Sequence, residues 1–358
     1  MKLIYYKNLD GVRGIAALMV IWFHFFTLPI IKNYDASWLP SAIKVADFGQ
    51  TGVSLFFVLS GFLITRILLN SKNQDNFFSN FYIRRSLRIF PLYYSFLFIF
   101  FYLQPLFSGL NITPFVDQVY SLIYLQNFAS TFNWQHNKGP GHFWSLAVEE
   151  HFYFFWPLII YYFNIRNTVV IIVSIILATF IVKILMLNNG YFIGYFTFTR
   201  IDQLAIGAIL ALIERRPLKK QVQVFVFLFF TATIFVGVLI FYLNDRMLIT
   251  KELLKYPVLA FFYFSIIGLL ISIKKSNFIN QLLTTKYFSY TGKISYGLYV
   301  YHPLAISLVA HKLLTGNIFV DFVFCFFVTY IFASLSYYLI EVKFLKLKDR
   351  FTLYQAKN

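Results

Sequence analysis

Long apolar stretches alternate with short polar segments along almost the whole chain. Stretches long enough for a helix to cross a bilayer run over 12–31, 52–70, 89–107, 143–163, 168–188, 201–213, 223–243, 256–273, 294–312 and 318–340. The short stretch 201–213 is expected to extend backwards through Tyr195. This pattern predicts an all-α, polytopic bundle of about ten transmembrane helices. The aromatic region 116–130 holds Asp, Gln and Asn residues and is expected to be interfacial or re-entrant.

Composition and charge placement agree with a membrane protein. The chain is 59% apolar and only 13% charged, whereas soluble proteins carry about 25% charged residues. If both termini are cytoplasmic, 20 of the 31 lysines and arginines fall in inside segments and 8 in outside segments. The positive-inside rule therefore favours ten spans with both termini inside. The net charge of +17 is then a consequence of topology, and nucleic-acid binding is not expected.

The chain is expected to form one membrane domain over residues 1–358, with no cleavable signal peptide and no appended soluble domain. The segment 108–142, outside in this orientation, is expected to cap a cavity that opens outwards. The sequence shows no internal repeat. It contains one cysteine, Cys325, and no metal-ligand spacing, so a metal is not expected.

The first apolar stretch carries three ionisable side chains whose burial in a bilayer costs free energy: Asp10, Arg13 and His24. Arg13 and His24 are eleven positions apart, about three helical turns, so they lie on one face and about 16 Å apart. We interpret Arg13 as an anion anchor and His24 as a general base. Pairing of Asp10 with Arg13 at the water interface is an equally good interpretation of those two residues.

Two further groups of ionisable residues stand at or within apolar stretches. Arg84, Arg85 and Arg88 precede the third stretch and suit either positive-inside anchoring or a phosphate clamp, with Arg84 and Arg88 on one helical face. Glu149 and Glu150 lie inside the fourth stretch. Because adjacent residues project about 100° apart, we expect one of the two to face the bundle interior.

Four more polar residues are candidates for weaker roles. Arg200 and Asp202 could be interfacial or could contact a polar acceptor. Ser60, in an apolar helix with other small residues, is more simply explained by helix packing. His302 precedes Pro303, which leaves a helix carbonyl without its donor, and a structural role is at least as good an interpretation as catalysis.

These segments, in this order, resemble the acyltransferase 3 family of integral membrane O-acyltransferases. The matching pieces cover about residues 5–340 and read LDGVRGIAALMVIWFH, FFVLSGFLI, FYIRRSLRIFPLYY, HFWSLAVEEHFYFFWP, RIDQLAIGAILA and KISYGLYVYHPL. Arg13 and His24 match the R-x10-H pair of the family, Arg84 and Arg85 its arginine pair, and Glu149 the glutamate that follows WSL. His151 stands where many relatives have Gln, and no function is attached to it.

The resemblance implies a bacterial cytoplasmic (inner) membrane enzyme that moves an acyl group, most often acetyl, from cytoplasmic acyl-CoA to a carbohydrate hydroxyl. Acceptors in the family include lipopolysaccharide O-antigen, capsule, peptidoglycan and exopolysaccharide, so the expected partners are acetyl-CoA, a carbohydrate or lipid-linked glycan and membrane lipids. Some relatives carry an additional esterase-like domain, and its absence from these residues favours direct transfer.

The residues and the resemblance suggest the same mechanism. The phosphates of the donor would bind Arg84, Arg85 and Arg88, and Arg13 would meet a phosphate or the pantetheine arm. His24 would deprotonate the acceptor or carry the acyl group itself, with Glu149 by preference, or Glu150, orienting its ring. Asp10, Arg200, Asp202, Ser60 and His302 are candidates for contact with substrate. The alternative is a transporter or flippase that uses the same ionisable residues as a proton relay.

Overall fold

The computed structural model describes residues 4–27, 31, 37–242, 248–312 and 314–348. These residues contain seventeen α-helices and no strand. The helices are α1 (Asn8–Phe26), α2 (Leu39–Gly49), α3 (Gly52–Ser71), α4 (Phe77–Phe98), α5 (Gln104–Phe107), α6 (Phe115–Leu122), α7 (Gln126–Thr131), α8 (Trp144–Tyr162), α9 (Ile165–Asn188), α10 (Thr197–Arg215), α11 (Gln221–Gly237), α12 (Leu248–Ser272), α13 (Phe278–Leu283), α14 (Lys286–Lys293), α15 (Ser295–Lys312), α16 (Ile318–Ser336) and α17 (Val342–Lys348). Single π-helical turns extend α4, α11 and α16 over Ile99–Leu103, Val238–Tyr242 and Tyr337–Glu341, and a 3₁₀ turn, Gly141–Phe143, precedes α8.

Every predicted apolar stretch is helical where the structure describes it. The first helix ends at Phe26 rather than at 31, and residues 28–30 lie outside the described part of the chain. The short stretch 201–213 extends backwards only to Thr197, so the predicted extension through Tyr195 is two residues too long. The region 116–130, for which no full span is expected, contains the short helices α6 and α7. The all-α prediction is confirmed.

Seven helical stretches in the described residues are long and apolar enough to cross a membrane, which makes the chain a multi-pass membrane protein. They are Asn8–Phe26, Leu39–Ser71, Phe77–Phe107, Ile165–Asn188, Gln221–Ile240, Leu248–Ser272 and Ile318–Leu347. The other three predicted spans correspond to α8, α10 and α15, which carry many of the polar residues discussed below. The count of ten spans and the inside position of both termini stay predictions.

Helix α3 lies at the centre of the bundle, packed against α1, α8, α10 and α12. Its contact with α10 depends on two glycines. A Cβ atom on Gly61 would collide with the carbonyl oxygen of Leu204, and one on Gly207 would collide with that of Val58. Small residues that let helix backbones approach closely are typical of membrane helix packing.

The degree of burial separates interior helices from outer ones. In the apolar window of Leu39–Ser71, 78% of the residues are buried, whereas the value is 22% in both Ile165–Asn188 and Gln221–Ile240. Helices α9 and α11 therefore present most of their apolar surface to lipid, while α3 is enclosed by protein. Functional side chains are expected on the enclosed helices, because an ionisable group facing lipid is costly.

Candidate active site

Helix α1 carries two different polar regions on one face, three turns apart. Arg13 faces a cavity lined by charged and hydroxyl side chains. His24, near the end of the helix, instead contacts a second histidine, with 4.7 Å between the centroids of its ring and that of His302. Arg13 and His24 thus lie in two separate surroundings along one helix, and the roles assigned to them stay predictions.

The charged cavity lies between α1, α3, α4, α8 and α15 and has a volume of about 110 Å³. Apolar residues form part of its wall, among them Phe56, Phe57 and Leu63. The polar side chains that line it are Arg13, Ser60, Arg85, Arg88, Ser145, Glu149, Glu150, Tyr153, Ser295, Tyr296 and Tyr299. Three guanidinium groups thus converge on a space bounded by two carboxylates.

Arg13 is held in place from its own helix. Its Nη1 donates to Asp10 Oδ1 at 3.0 Å, an i,i+3 ion pair, and the hydroxyl of Tyr5 also donates to the Asp10 carboxylate. The Arg13 side chain remains 28% exposed. Asp10 therefore anchors Arg13, and the predicted pairing between them is confirmed.

A chain of hydroxyl groups connects α3 to a carboxylate on α8. Tyr153 donates to Glu149 Oε2 at 3.0 Å, and its oxygen is also hydrogen-bonded to the hydroxyl of Ser60. Since Tyr153 uses its proton on Glu149, Ser60 is the donor in that second bond. The guanidinium of Arg85 lies over the Tyr153 ring, 4.5 Å from its centroid. Ser60 thus supports the cavity wall as well as contributing to helix packing.

Two sequence expectations about this cavity need correction. The cavity is lined by Arg85 and Arg88, an i,i+3 pair on α4, and Arg84 is not among the described residues that line it. The expected common face of Arg84 and Arg88 is therefore not the face that α4 turns to the cavity. Both Glu149 and Glu150 line the cavity, where we expected only one. Glutamate side chains are long enough to reach one space from adjacent helix positions.

The second polar region is a cluster of three histidines: His24, His142 and His302. His302 contacts both of the others, with 4.7 Å between its ring centroid and that of His24 and 5.2 Å to that of His142. His24 is half-buried, whereas His142 and His302 are buried. Among the described residues, no group of His, Cys, Asp or Glu is arranged to hold a metal ion. The cluster is a set of imidazole rings without a metal geometry.

The backbone fixes the orientation of the His24 ring. Its Nδ1 donates to the carbonyl oxygen of Val20 at 2.9 Å, one turn earlier on α1. A carbonyl can only accept, so the neutral ring carries its proton on Nδ1 and leaves Nε2 as a lone pair. The expected contact with Glu149 is not formed, because this hydrogen bond goes to backbone and the hydrogen bond of Glu149 comes from Tyr153.

Arg200 and Asp202 lie inside the bundle and take part in neither region. Asp202 Oδ2 accepts from Lys183 Nζ at 2.5 Å, and both side chains are almost fully buried. The Arg200 guanidinium, also buried, lies 3.7 Å from the centroid of the Tyr256 ring. Both side chains are therefore enclosed by protein. They belong to a buried polar network that joins α9, α10 and α12.

The segment between α5 and α8 is tied together next to the histidine cluster. Asp117 on α6 accepts from Lys138 Nζ and from His136 Nδ1, each at 2.9 Å, and its side chain is only 4% exposed. Hydrogen bonds from Lys138 and His136 lower the pKa of the Asp117 carboxyl below its usual value. These contacts hold the chain a few residues before His142, which begins the approach to α8.

Sequence reasoning missed several residues of both regions. Tyr153, Tyr296 and Tyr299 line the charged cavity, but in a chain with 26 tyrosines they give no distinguishing signal. His142 lies at the end of the segment 108–142, and Lys183 lies inside the apolar stretch 168–188, but neither was singled out from the sequence. Lys183 could have been found, since a lysine inside a long apolar stretch needs an acidic partner in the bundle.

An all-α bundle that encloses an arginine-lined cavity and a cluster of histidines is an integral membrane protein with a polar interior site. The chain belongs to the acyltransferase 3 family, which is described as an acyltransferase domain. The sequence model of this family matches residues 6–338. Its relatives include the provisionally named peptidoglycan O-acetyltransferase YrhL of Bacillus subtilis (strain 168), at 32% identity over 94% of this chain and 54% of that protein.

Two relatives from Staphylococcus aureus extend the comparison. A provisionally named O-acetyltransferase of strain COL is 31% identical over 96% of this chain and 58% of that protein. The O-acetyltransferase OatA of strain NCTC 8325 / PS 47 is 26% identical over 94% of this chain and 57% of that protein. The chain thus spans little more than half the length of these relatives. No solved structure matches it.

Proposed function

We propose that the protein is an O-acetyltransferase of the bacterial cytoplasmic membrane that moves acetyl from acetyl-CoA to a hydroxyl of a cell-surface carbohydrate. The observation that carries the proposal is the arrangement on α1, where an arginine-lined cavity and an imidazole with a bare Nε2 share one helix face. About 16 Å separates the two levels along the helix axis. An extended thioester arm anchored at one level could therefore present its acyl group at the other.

The charged cavity supports an anionic donor. Arg13, Arg85 and Arg88 face the same space, and guanidinium groups bind phosphate through paired hydrogen bonds. The volume of about 110 Å³ is well below the roughly 300 Å³ at which sites for whole small molecules begin. The cavity would therefore take only part of the donor, a phosphate or a length of the pantetheine arm, with the nucleotide outside it on the cytoplasmic side.

The histidine region supports the chemistry of transfer. The bare Nε2 of His24 can remove a proton from an acceptor hydroxyl or attack the thioester carbon directly. In the predicted orientation this end of α1 lies towards the outside, where surface glycans are found. The name of one relative, a peptidoglycan O-acetyltransferase, favours a glycan acceptor.

Transfer of radiolabel tests the proposal. Purified protein in lipid nanodiscs is incubated with [14C]acetyl-CoA and chitotetraose as the glycan probe, and labelled sugar and free CoA are separated by chromatography. We expect labelled chitotetraose to form, and His24→Ala to lower its rate by about 10²–10⁴-fold, as loss of an acid–base group does. Binding of CoA by His24→Ala should remain unchanged.

His151→Ala is the matched control, since His151 hydrogen-bonds Thr197 within the bundle and belongs to neither polar region. It should transfer label at close to the native rate. Native protein that leaves the thioester of acetyl-CoA intact would favour the transporter alternative. Full activity of His24→Ala would remove His24 from the mechanism.

A further inference from the structure

His302 holds a buried ring nitrogen that makes no hydrogen bond. The side chain is fully buried, and within the described residues nothing hydrogen-bonds its Nε2. A buried polar atom without a partner is costly and needs an explanation. The ring of His302 packs against that of His24 at 4.7 Å. The unpartnered nitrogen therefore lies beside the residue proposed to carry out the transfer.

The proline that follows His302 fixes which nitrogen is bare. In an α-helix each N–H donates to the carbonyl four residues earlier, and Pro303 has no N–H for the carbonyl of Tyr299. The Nδ1 of His302 donates to that carbonyl at 2.7 Å. In the neutral ring the proton therefore stays on Nδ1, and Nε2 is a lone pair.

His24 and His302 thus form a pair of rings that are both basic at Nε2. Each ring uses its Nδ1 proton on a carbonyl of its own helix, Val20 for His24 and Tyr299 for His302. Two lone pairs cannot hydrogen-bond each other. The two nitrogens are therefore satisfied only when a further group donates a hydrogen bond to them or forms a bond with one of them. Direct transfer by a single base would need only one such nitrogen.

We propose that His302 is the general base that deprotonates the acceptor hydroxyl as the hydroxyl attacks an acetyl group carried on Nε2 of His24. This inference rests on the proposed function. It assigns the two bare nitrogens different tasks, one for the acyl group and one for the proton. Because His24 is half-buried and His302 is fully buried, the acceptor reaches the pair from the His24 side.

The steps balance in atoms and charge. His24 Nε2 attacks the thioester carbon, the carbon–sulfur bond breaks, and CoA leaves as thiolate from an N-acetylimidazolium. The hydroxyl oxygen then attacks the acetyl carbon, the nitrogen–carbon bond breaks, and the hydroxyl proton passes to His302 Nε2. That proton finally returns to the CoA thiolate through solvent, so that ester and CoA thiol are the products and both rings are neutral again.

The experiment separates acylation of the protein from transfer to the acceptor. In His302→Asn the side-chain amide can still donate to the Tyr299 carbonyl, but it supplies no base. Rapid mixing with [14C]acetyl-CoA should release one CoA per protein in a burst and leave label on the protein. Steady-state transfer to chitotetraose should fall by about 10²–10⁴-fold.

His151→Asn is the matched control, because His151 hydrogen-bonds Thr197 within the bundle and belongs to neither polar region. It should keep both the burst and the rate of transfer close to the native values. His302→Ala provides a second variant, and free imidazole in the buffer should restore part of its transfer rate. Thermal unfolding verifies that each variant is folded.

The possible failures are distinguishable. Transfer near the native rate in His302→Asn, or loss of burst and transfer together in a folded protein, overturns the role of His302 and leaves the proposed function standing. A burst that persists in His24→Ala overturns the acyl-histidine step. Native protein without any thioester cleavage overturns the proposed function itself.

Discussion

The two polar regions on the face of α1 are built from opposite kinds of groups. The cavity at Arg13 is lined by guanidinium and carboxyl groups that face one another. The cluster at His24 contains only imidazole rings, and the hydrogen bonds of their nitrogens within the described residues go to backbone carbonyls. One region is suited to hold an ion and the other to exchange a proton.

The difference follows from what each kind of group does inside a membrane protein. A guanidinium is always protonated, so it attracts phosphate but cannot act as a base. An imidazole without a carboxylate partner stays available as a neutral lone pair. In the proposed mechanism, helix α1 separates donor binding from acyl transfer by three turns. Mutations in the two regions should therefore change different kinetic constants.

The largest effect expected in the charged cavity is on donor binding. Arg85→Gln should raise the KM for acetyl-CoA by about 10- to 100-fold, since a charge-assisted hydrogen bond contributes about 1.5–3 kcal/mol. Its kcat should change little, because Arg85 lines the cavity at Arg13, and Arg13 lies three turns of α1 away from His24. Initial rates of label transfer at a series of acetyl-CoA concentrations give both constants.

The neighbouring residue provides the comparison for this measurement. Arg84→Gln removes the same charge from the same helix, but Arg84 is not among the described residues that line the cavity. A smaller change in KM than in Arg85→Gln is expected. Equal changes in KM for the two substitutions would mean that the arginines act through the overall positive charge of α4 and not through contact with the donor. A fall in kcat with Arg85→Gln would contradict the assignment of binding and chemistry to separate regions.

The two interpretations of Glu149 predict opposite kinetic results for Glu149→Gln. If Glu149 only balances the guanidiniums, removing its charge should lower the KM for acetyl-CoA about threefold to tenfold, equivalent to roughly 1 kcal/mol of lost repulsion towards an anion. The amide oxygen can still accept from Tyr153. If Glu149 instead orients His24, as the sequence suggested, kcat should fall and KM should not. Glu150→Gln should follow the first pattern, since Glu150 lines the same cavity.

Helices and helix faces could be predicted because their signals are local. Long apolar stretches require helices in a bilayer, and the eleven-residue spacing places Arg13 and His24 on one face. The helices α2, α13 and α14 were missed because they are short and, in α14, rich in polar residues, so hydropathy does not mark them.

Contacts between helices could not be predicted because they depend on how each helix is rotated. Arg84 and Arg85 are adjacent and differ by about 100° in direction, so only the packing of α4 decides which one reaches the cavity. His24 and His302 lie near opposite ends of the sequence, and no local pattern links them. The unexpected pairing of their rings arises from the contact between α1 and α15.

The smallest expected effect concerns the segment that leads to His142 and connects the outer part of the chain to the histidine region. Asp117→Asn removes the ion pair with Lys138 and weakens the hydrogen bond from His136, and should lower the temperature of unfolding by a few degrees at neutral pH. The pKa of Asp117 is lowered below its usual 3.8 in the folded protein. Its contribution to stability is therefore fully present above that value and is lost as the pH falls through the folded pKa. The difference in unfolding temperature between native and variant protein in detergent, followed from pH 7 to pH 3, should narrow at the acid end. A difference that stays constant over this range would mean that Asp117 acts through packing rather than charge, and that the ion pairs do not hold the segment beside the histidines.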